Sequence, residues 1–366
     1  MSLRWVIAGG GTGGHVTPAL ALGEVIRESG DWLHFVGTRR GIEGRLVPQA
    51  GFVLTTLASK PFVGRGPLDL LRAGGALLLT SFQAWRLLRR ERVDLVISVG
   101  GYASAPAAIA ALLARVPMVL VNTDAVPGAA NRLLARFARR IYAGFPATAR
   151  TLGRGDDDER ILVTGVPLRR ALRLAFASHG GNREGDDRIH LFAFGGSQGA
   201  RQINDALVSA LPRLDPARIA VVHQTGEADR ERVARAYRAA GFQAEVLAFE
   251  AEMPARYRWA DLVVCRSGAI SVAELTLAGR PALLIPLAHV GGGEQFANAA
   301  ELERAGAAHV LESRAFSQKH FEELLLELLE HPEKLRAMGR QAAGLARPDA
   351  ALEIVTDCRR LVAAPE

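Results

Sequence analysis

Two segments of this chain begin in the same way: an apolar run ends in glycines and passes directly into a helical pattern. Arg4-Trp5-Val6-Ile7-Ala8 leads into Gly9–Gly14, and an apolar helical periodicity follows from about Thr17 to Ser29. Ile189–Phe194 leads into Gly195-Gly196-Ser197-Gln198-Gly199, with a helix from about Ala200. A continuous apolar run has no solvent-facing side, so each reads as a strand covered on both faces, as in a parallel sheet. Further strands are expected at Leu33–Val36, Val93–Val99 and Met118–Asn122, then at Ile219–Gln224, Ala244–Ala248, Leu262–Cys265 and Ala282–Ile285. Helical stretches separate them. Alternation of this kind predicts two α/β, doubly wound, Rossmann-like units.

The length of 366 residues suits two domains. The polar stretch Ser178–Arg188 cannot build a core and reads as a loop, which places the boundary between Thr164 and that stretch. The expected division is 1–166 and 167–347, with a last helix at about 348–364 packing back on the first domain.

Hydrophobic residues make up 49% and charged residues 23%, which supports packed cores and excludes a largely disordered chain. Cys265 and Cys358 cannot form a disulfide framework and no CxxC pair occurs, so a reducing compartment is expected. Met1–Gly14 carries no signal segment. No window offers the ~20 apolar residues that a spanning helix needs. The best candidate, Leu68–Leu88, is broken by Gly74-Gly75, Ser81–Gln83 and arginines. A soluble or peripheral protein is therefore expected. The formal charge of +7 suits an anionic partner: a phosphate substrate, an acidic membrane or nucleic acid. Nucleic acid is not expected as a partner, because no interleaved aromatic platform accompanies the basic residues.

A strand, then glycines, then a helix start presents bare N–H groups at the positive end of a helix, which suits phosphate. The other reading is that the glycines serve only tight turns. A dinucleotide site would want an acidic residue closing the second strand, which ends instead in Phe35-Val36-Gly37-Thr38-Arg39.

Taken together, Gly10–Leu20, Gly100-Gly101-Tyr102 with Ser104 and Pro106, Gly195–Arg201 and Cys265-Arg266-Ser267-Gly268, with Glu274, Gln295 and Asn298, resemble one pattern. It is that of the MurG family, the peptidoglycan N-acetylglucosaminyltransferases that convert lipid I to lipid II. The resemblance is collinear from Gly9 to about Ala308. It implies a GT-B fold, in which two doubly wound domains face a central cleft. It also implies UDP-N-acetylglucosamine as donor, a lipid-linked muramoyl-pentapeptide as acceptor, and inversion with no metal or other cofactor. The place of work would be the cytoplasmic face of the inner membrane.

Carried onto this sequence, the resemblance puts Ser197, Gln198 and Gly199 at the donor diphosphate, helped by Arg169. Glu274 meets the ribose hydroxyls, Ala269 and Glu250 frame the uracil, and Glu294 and Gln295 reach the sugar, with Arg266 nearby. The residue chemistry agrees on two of these. A carboxylate can accept from both hydroxyls of a cis-diol, and an arginine suits the charge growing on departing UDP. Against this, Glu274 as a capping or surface residue and Arg169 as part of a solvated basic turn both stay open.

On the acceptor side stand Thr12, Gly13, Gly14, Tyr102 and Asn131. Tyr102 reads equally as ordinary packing. His15, directly after the first glycine loop, is the leading candidate for general base, or else a neutral group that orients a substrate. Where the family has His-Glu-Gln-Asn, this chain has Asn122-Thr123-Asp124-Ala125. Asp124 then reads as base, as orienting partner or as a turn former. His289–Gln295 also departs from the family, and touches the sugar pocket.

Leu68, Leu70, Leu71, Leu77, Leu78, Leu79, Phe82, Trp85 and Leu88 lie among Arg65, Arg72, Arg86, Arg89 and Arg90. Apolar residues with a tryptophan and a cationic fringe suit an anionic membrane surface, and a buried helix with solvated arginines is the alternative. Arg132, Arg136, Arg139 and Arg140 form a second basic group.

Overall fold

The computed structural model describes residues 2–38, 41–57, 67–101, 104–153, 158–177, 187–287, 293–312 and 316–363, with no side chains described at 67–73 and 177. The chain forms two compact units, Met1–Arg170 with Arg347–Glu366, and Ala171–Ala346. The first junction therefore lies four residues beyond the 166/167 division expected from the sequence, and the last helix is counted with the first unit.

Seven strands build the first sheet: β1 (Arg4–Gly9), β2 (Trp32–Thr38), β3 (Leu54–Leu57), β4 (Leu95–Gly100), β5 (Met118–Asn122), β6 (Arg140–Ala143) and β7 (Ile161–Val163). Their order is β3-β2-β1-β4-β5-β6-β7. The second sheet contains β8 (Ile189–Phe194), β9 (Ile219–Gln224), β10 (Glu245–Leu247), β11 (Leu262–Cys265), β12 (Ala282–Leu284) and β13 (Ala308–Val310). It runs β10-β9-β8-β11-β12-β13, and every pairing in both sheets is parallel. This is the doubly wound arrangement expected from the sequence. In each sheet the winding reverses between the first and fourth strands, β1 and β4 or β8 and β11, and ligands of such sheets bind at that reversal.

Four strands lie outside the expected set: β3, β6, β7 and β13. Each has only three or four residues, too few to show a period. Alternation along β1 explains why its run is continuously apolar. Trp5 and Ile7 join a core with Val16, Leu20 and Leu22 of helix Gly13–Glu28. Val6 and Ala8 face the opposite core, with Ala84 and Leu88 of helix Pro67–Arg90.

The C-terminal helix Ala350–Ala363 belongs to the first of these cores through Ala351, Ile354, Val355 and Cys358, all buried. Polar contacts fix its register: Tyr142 donates to Asp357 Oδ2 at 2.9 Å and Arg140 Nε lies 3.1 Å from the same carboxylate. Arg359 pairs with the buried Asp31 carboxylate, which also accepts from Trp5 Nε1.

Ile354→Ala should therefore destabilise the first unit by about 2–5 kcal/mol, the cost of a cavity in a closed core. Urea denaturation followed by tryptophan fluorescence should show a lowered transition for this unit, with the transition of the second unit unmoved.

Candidate functional site

At the reversal of the first sheet, the loop after β1 starts helix Gly13–Glu28. The Thr12 carbonyl accepts from the N–H groups of His15 and Val16, each at 3.2 Å, and the Thr12 hydroxyl lies 3.1 Å from His15 Nδ1. The imidazole rests against Gly100 and Gly101 after β4. Both glycines are left-handed, with φ of +96° and +77°, and a Cβ on Gly100 would stand 3.2 Å from His15 Cδ2. Glycine is needed there for both the backbone conformation and the ring's approach.

Asn131, on helix Ala129–Leu134, closes the same corner. Its Nδ2 donates to Asn122 Oδ1 at 2.7 Å, and Asn122 Nδ2 donates to the Asp124 carbonyl. Asn131 Oδ1 is buried without a hydrogen-bond partner, close to where a Gly100 Cβ would stand. Burial lowers the pKa of His15, while the charges of Asp124 and Glu43 pull it upward without restoring it. The ring is thus neutral near pH 7, the form that can accept a proton. The structure brings Thr12, Gly13, Gly14, His15, Asp124 and Asn131 to one corner of the first unit. Tyr102 lies outside the described residues.

At the reversal of the second sheet, Gly196, Ser197 and Gln198 form an exposed loop after β8. Its ends are tied down: Gly195 N donates to Gln224 Oε1 at 3.3 Å and Gly199 N donates to the Gly196 carbonyl at 2.8 Å. Behind it, Asn204 Nδ2 donates to the Thr225 carbonyl and to Asp229 Oδ2, and Asn204 Oδ1 meets His223 Nε2 at 3.1 Å. Burial takes the His223 pKa down to about 3, so this support carries no charge on its imidazole across the physiological range.

After β11, Arg266 Nη1 donates to Gln202 Oε1 and to the Ile285 carbonyl, at 3.1 and 2.7 Å. Ser267 Oγ donates to the Gln295 carbonyl, and Gln295 Oε1 accepts from Leu287 N–H at 2.9 Å. Ala269 opens helix Ala269–Ala278, and Glu274 follows on the same helix. Tyr257 donates to Glu274 Oε2 at 2.9 Å. Loss of water around the Glu274 carboxyl raises its pKa to about 7, against that hydrogen bond.

Two expected donor groups are engaged locally. The Arg169 guanidinium, placed in the first unit, donates to Glu24 Oε1 at 2.6 Å, while Arg170 N–H takes the other oxygen. Glu250 accepts from Arg256 and from Glu252 N–H. Glu294 is half-buried and opens helix Glu294–Arg304, whereas His289–Gly292 lie outside the described residues. Among the described residues no group of histidine, cysteine or acidic side chains could hold a metal ion.

The N-terminal domain model of glycosyltransferase family 28 matches residues 5–143, and the C-terminal domain model of the same family matches residues 190–354. The chain belongs to glycosyltransferase family 28. Within family 28 its curated relatives are MurG enzymes. The protein of Pelobacter propionicus is 42% identical over 97% of this chain and 98% of its own length. That of Geobacter sulfurreducens is 39% identical over 97% and 98%. Both are named UDP-N-acetylglucosamine–N-acetylmuramyl-(pentapeptide) pyrophosphoryl-undecaprenol N-acetylglucosamine transferase. The crystal structure of Acinetobacter baumannii MurG superposes with a TM-score of 0.81 at 27% identity, covering 98% of this chain and 99% of that one. A UDP-N-acetylglucosamine 2-epimerase of Neisseria meningitidis, 13% identical, shares the fold with a TM-score of 0.71, covering 98% and 100%.

Several residues of this family 28 site escape the sequence reading: Glu43, Gln224, Asn204 with His223, and Tyr257. Each is held by a partner distant in the chain, and a sequence shows no such pairing. Tyr257 is the plainest case. It is fully buried, edge-on to Phe192 and Phe194, with its hydroxyl aimed at Glu274. Because that phenol favours the ionised carboxylate, Tyr257→Phe should raise the Glu274 pKa above about 7. A carbon-13 NMR titration of the glutamate carboxyls, assigned with Glu274→Gln, measures the shift.

Proposed function

We propose that the chain transfers N-acetylglucosamine from UDP-N-acetylglucosamine to undecaprenyl-pyrophosphoryl N-acetylmuramyl-pentapeptide, with inversion at the sugar. The observation that carries this reading is His15, a neutral imidazole fixed by the Thr12 hydroxyl and packed on Gly100 and Gly101 at the reversal of its sheet. With Nδ1 engaged by Thr12, Nε2 is the nitrogen left to accept the proton of the attacking hydroxyl. The hydroxyl oxygen bonds to the anomeric carbon, the bond from that carbon to UDP breaks, and the proton stays on His15. Asp124 stabilises the imidazolium that forms.

The second unit takes the donor. Exposed N–H groups of the Gly196–Gln198 loop meet the diphosphate and stabilise the charge that grows on departing UDP. Glu274 accepts from the ribose hydroxyls, Ala269 bounds the uracil, and Gln295 reaches the sugar. Since Glu24 holds Arg169 in the first unit, the loop donors carry the diphosphate role.

Membrane attachment has its own support. No helix among the described residues is long and apolar enough to cross a membrane. Helix Pro67–Arg90, however, buries Thr80 and Ser81 while leaving Leu78, Leu79 and Phe82 exposed at 73%, 60% and 53%. Apolar side chains outside and hydroxyls inside reverse the usual pattern, and Arg86, Arg89 and Arg90 are exposed on the same helix. Leu133 and Phe137 are exposed beside Arg132 and Arg136. We assign these faces to an anionic bilayer at the cytoplasmic side, where a lipid-linked acceptor would be met. Leu68, Leu70, Leu71 and Arg72 lie outside the described side chains, and Arg65 outside the described residues.

Acceptor-dependent UDP release should fall by roughly 10²- to 10⁴-fold in His15→Ala, the usual share of a general base, while donor binding persists. Release that is equally fast without any acceptor would overturn the reading. Donor affinity, measured calorimetrically with UDP, should weaken as pH falls through about 7, because protonating Glu274 removes an acceptor from the ribose. Glu274→Gln should abolish that dependence. Leu79→Glu should reduce binding to phosphatidylglycerol vesicles in a sedimentation assay and spare turnover of a water-soluble acceptor.

A further inference from the structure

The first glycine loop already encloses an anion, and it belongs to the protein. Glu43 opens the short helix Glu43–Gln49, yet it is only 1% exposed. Its Oε2 accepts from Gly11 N–H at 2.9 Å, and its Oε1 accepts from the N–H and hydroxyl of Thr38 at 2.8 and 2.7 Å. The Thr38 hydroxyl in turn accepts from Gly41 N–H at 3.2 Å. A Cβ built on Gly10, Gly37 or Gly41 would fall inside the van der Waals radius of the Glu43 side chain. Thus the loop after β1, the end of β2 and the turn that follows it all wrap one carboxylate. Burial raises the pKa of this carboxyl, but the Gly11 and Thr38 donors outweigh it and hold the group below the usual carboxylate range.

We infer that Glu43 is a positioning residue for the acceptor-side base: it fills the anion seat of the first glycine loop and holds His15 in place through Gly11 and Thr12. The inference rests on the proposed transferase reading for the role of His15. The mechanical link is short. Gly11 is pinned by the carboxylate, Thr12 follows it, and Thr12 supplies both the carbonyl for His15 N–H and the hydroxyl for Nδ1. The electrostatic link runs the same way. The charged groups acting on the ring are Asp124, beyond β5, and Glu43, beyond β2; both are negative and both strengthen the base. A phosphate at Gly11 N–H would have to displace this carboxylate or sit beside it, and two anions at that separation repel strongly away from water. The acceptor pyrophosphate is therefore met by groups other than Gly11.

The test compares intact wild type with Glu43→Gln, which keeps the shape and removes the charge. Wild-type acceptor-dependent UDP release is measured first, and its absence would count against the transferase reading rather than against Glu43. In Glu43→Gln, kcat for acceptor-dependent release should drop roughly 10- to 100-fold, the cost of a misplaced reacting group, with UDP affinity unchanged. The acid limb of its pH–rate profile, and the His15 titration followed by NMR, should both move to lower pH. A folded variant with wild-type kcat and an unmoved His15 titration would overturn the inference. Should Glu43→Gln not fold, Thr38→Val keeps the carboxylate and removes one of its donors; a several-fold lower kcat at unchanged acceptor KM supports the inference, and wild-type kcat refutes it. In nitrogen-15 spectra of the wild type, inorganic pyrophosphate should shift the amides of the Gly196–Gln198 loop and leave Gly11 in place. A Gly11 shift as large as theirs would equally refute it.

Discussion

A parallel sheet that grows outward from its first strand in both directions leaves a gap at the carboxyl ends of its two middle strands, because the crossovers depart to opposite faces there. Both halves of this chain depend on that gap. In the first it lies between β1 and β4 and holds His15 against Gly100 and Gly101. In the second it lies between β8 and β11 and holds the Ser197 loop beside the start of the Glu274 helix. The strands fix these loops at their roots, so a side chain one or two residues beyond a strand inherits the precision of the sheet. Loops placed this way need few contacts of their own, which is why Gly196, Ser197 and Gln198 can stay exposed while their ends are tied by the Gln224 side chain and the Gly196 carbonyl.

Loss of water acts on His15 in the first unit and on Glu274 in the second in the same sense, toward the neutral form, with different chemical results. For His15 the neutral form is the base, so burial readies it. For Glu274 the neutral form is the weaker acceptor, and a buried phenol opposes the shift. Each group accordingly has a counterweight supplied from elsewhere in the fold: carboxylates near the imidazole, Tyr257 at the carboxyl. The absent His-Glu-Gln-Asn stretch fits the same pattern, since Asp124 still places a negative charge within reach of His15.

The sequence showed the parts of the site that are local. A buried strand, its glycines and the helix after them are contiguous, so β1, β4, β8 and β11 and their loops could be read directly, and the family resemblance supplied the rest of the fold. What stayed hidden was held by distant partners. Nothing local to Gly41-Ile42-Glu43-Gly44-Arg45 says that Glu43 is enclosed by a loop more than thirty residues earlier. Nor does anything local to Tyr257 show that Phe192 and Phe194 of β8 surround its ring. The glycines of the first loop read as a phosphate cradle or a set of turns, and for Gly10 the neighbouring carboxyl is a sufficient reason for the missing side chain. The short strands β3, β6, β7 and β13 stayed hidden for a different reason: they exist because a neighbouring strand pairs with them.

The return of helix Ala350–Ala363 to the core around Trp5 and Ile7 makes the second unit an insertion within the first. During synthesis, the 171–346 segment emerges whole and can fold while the sheet begun by β1 still lacks part of its cover. The first unit can be completed only after residues Ala350–Ala363 have emerged from the ribosome. Until then the apolar face awaiting Ile354 and Val355 is open to solvent, so a nascent chain that stalls before this helix emerges exposes the surface that chaperones and proteases recognise.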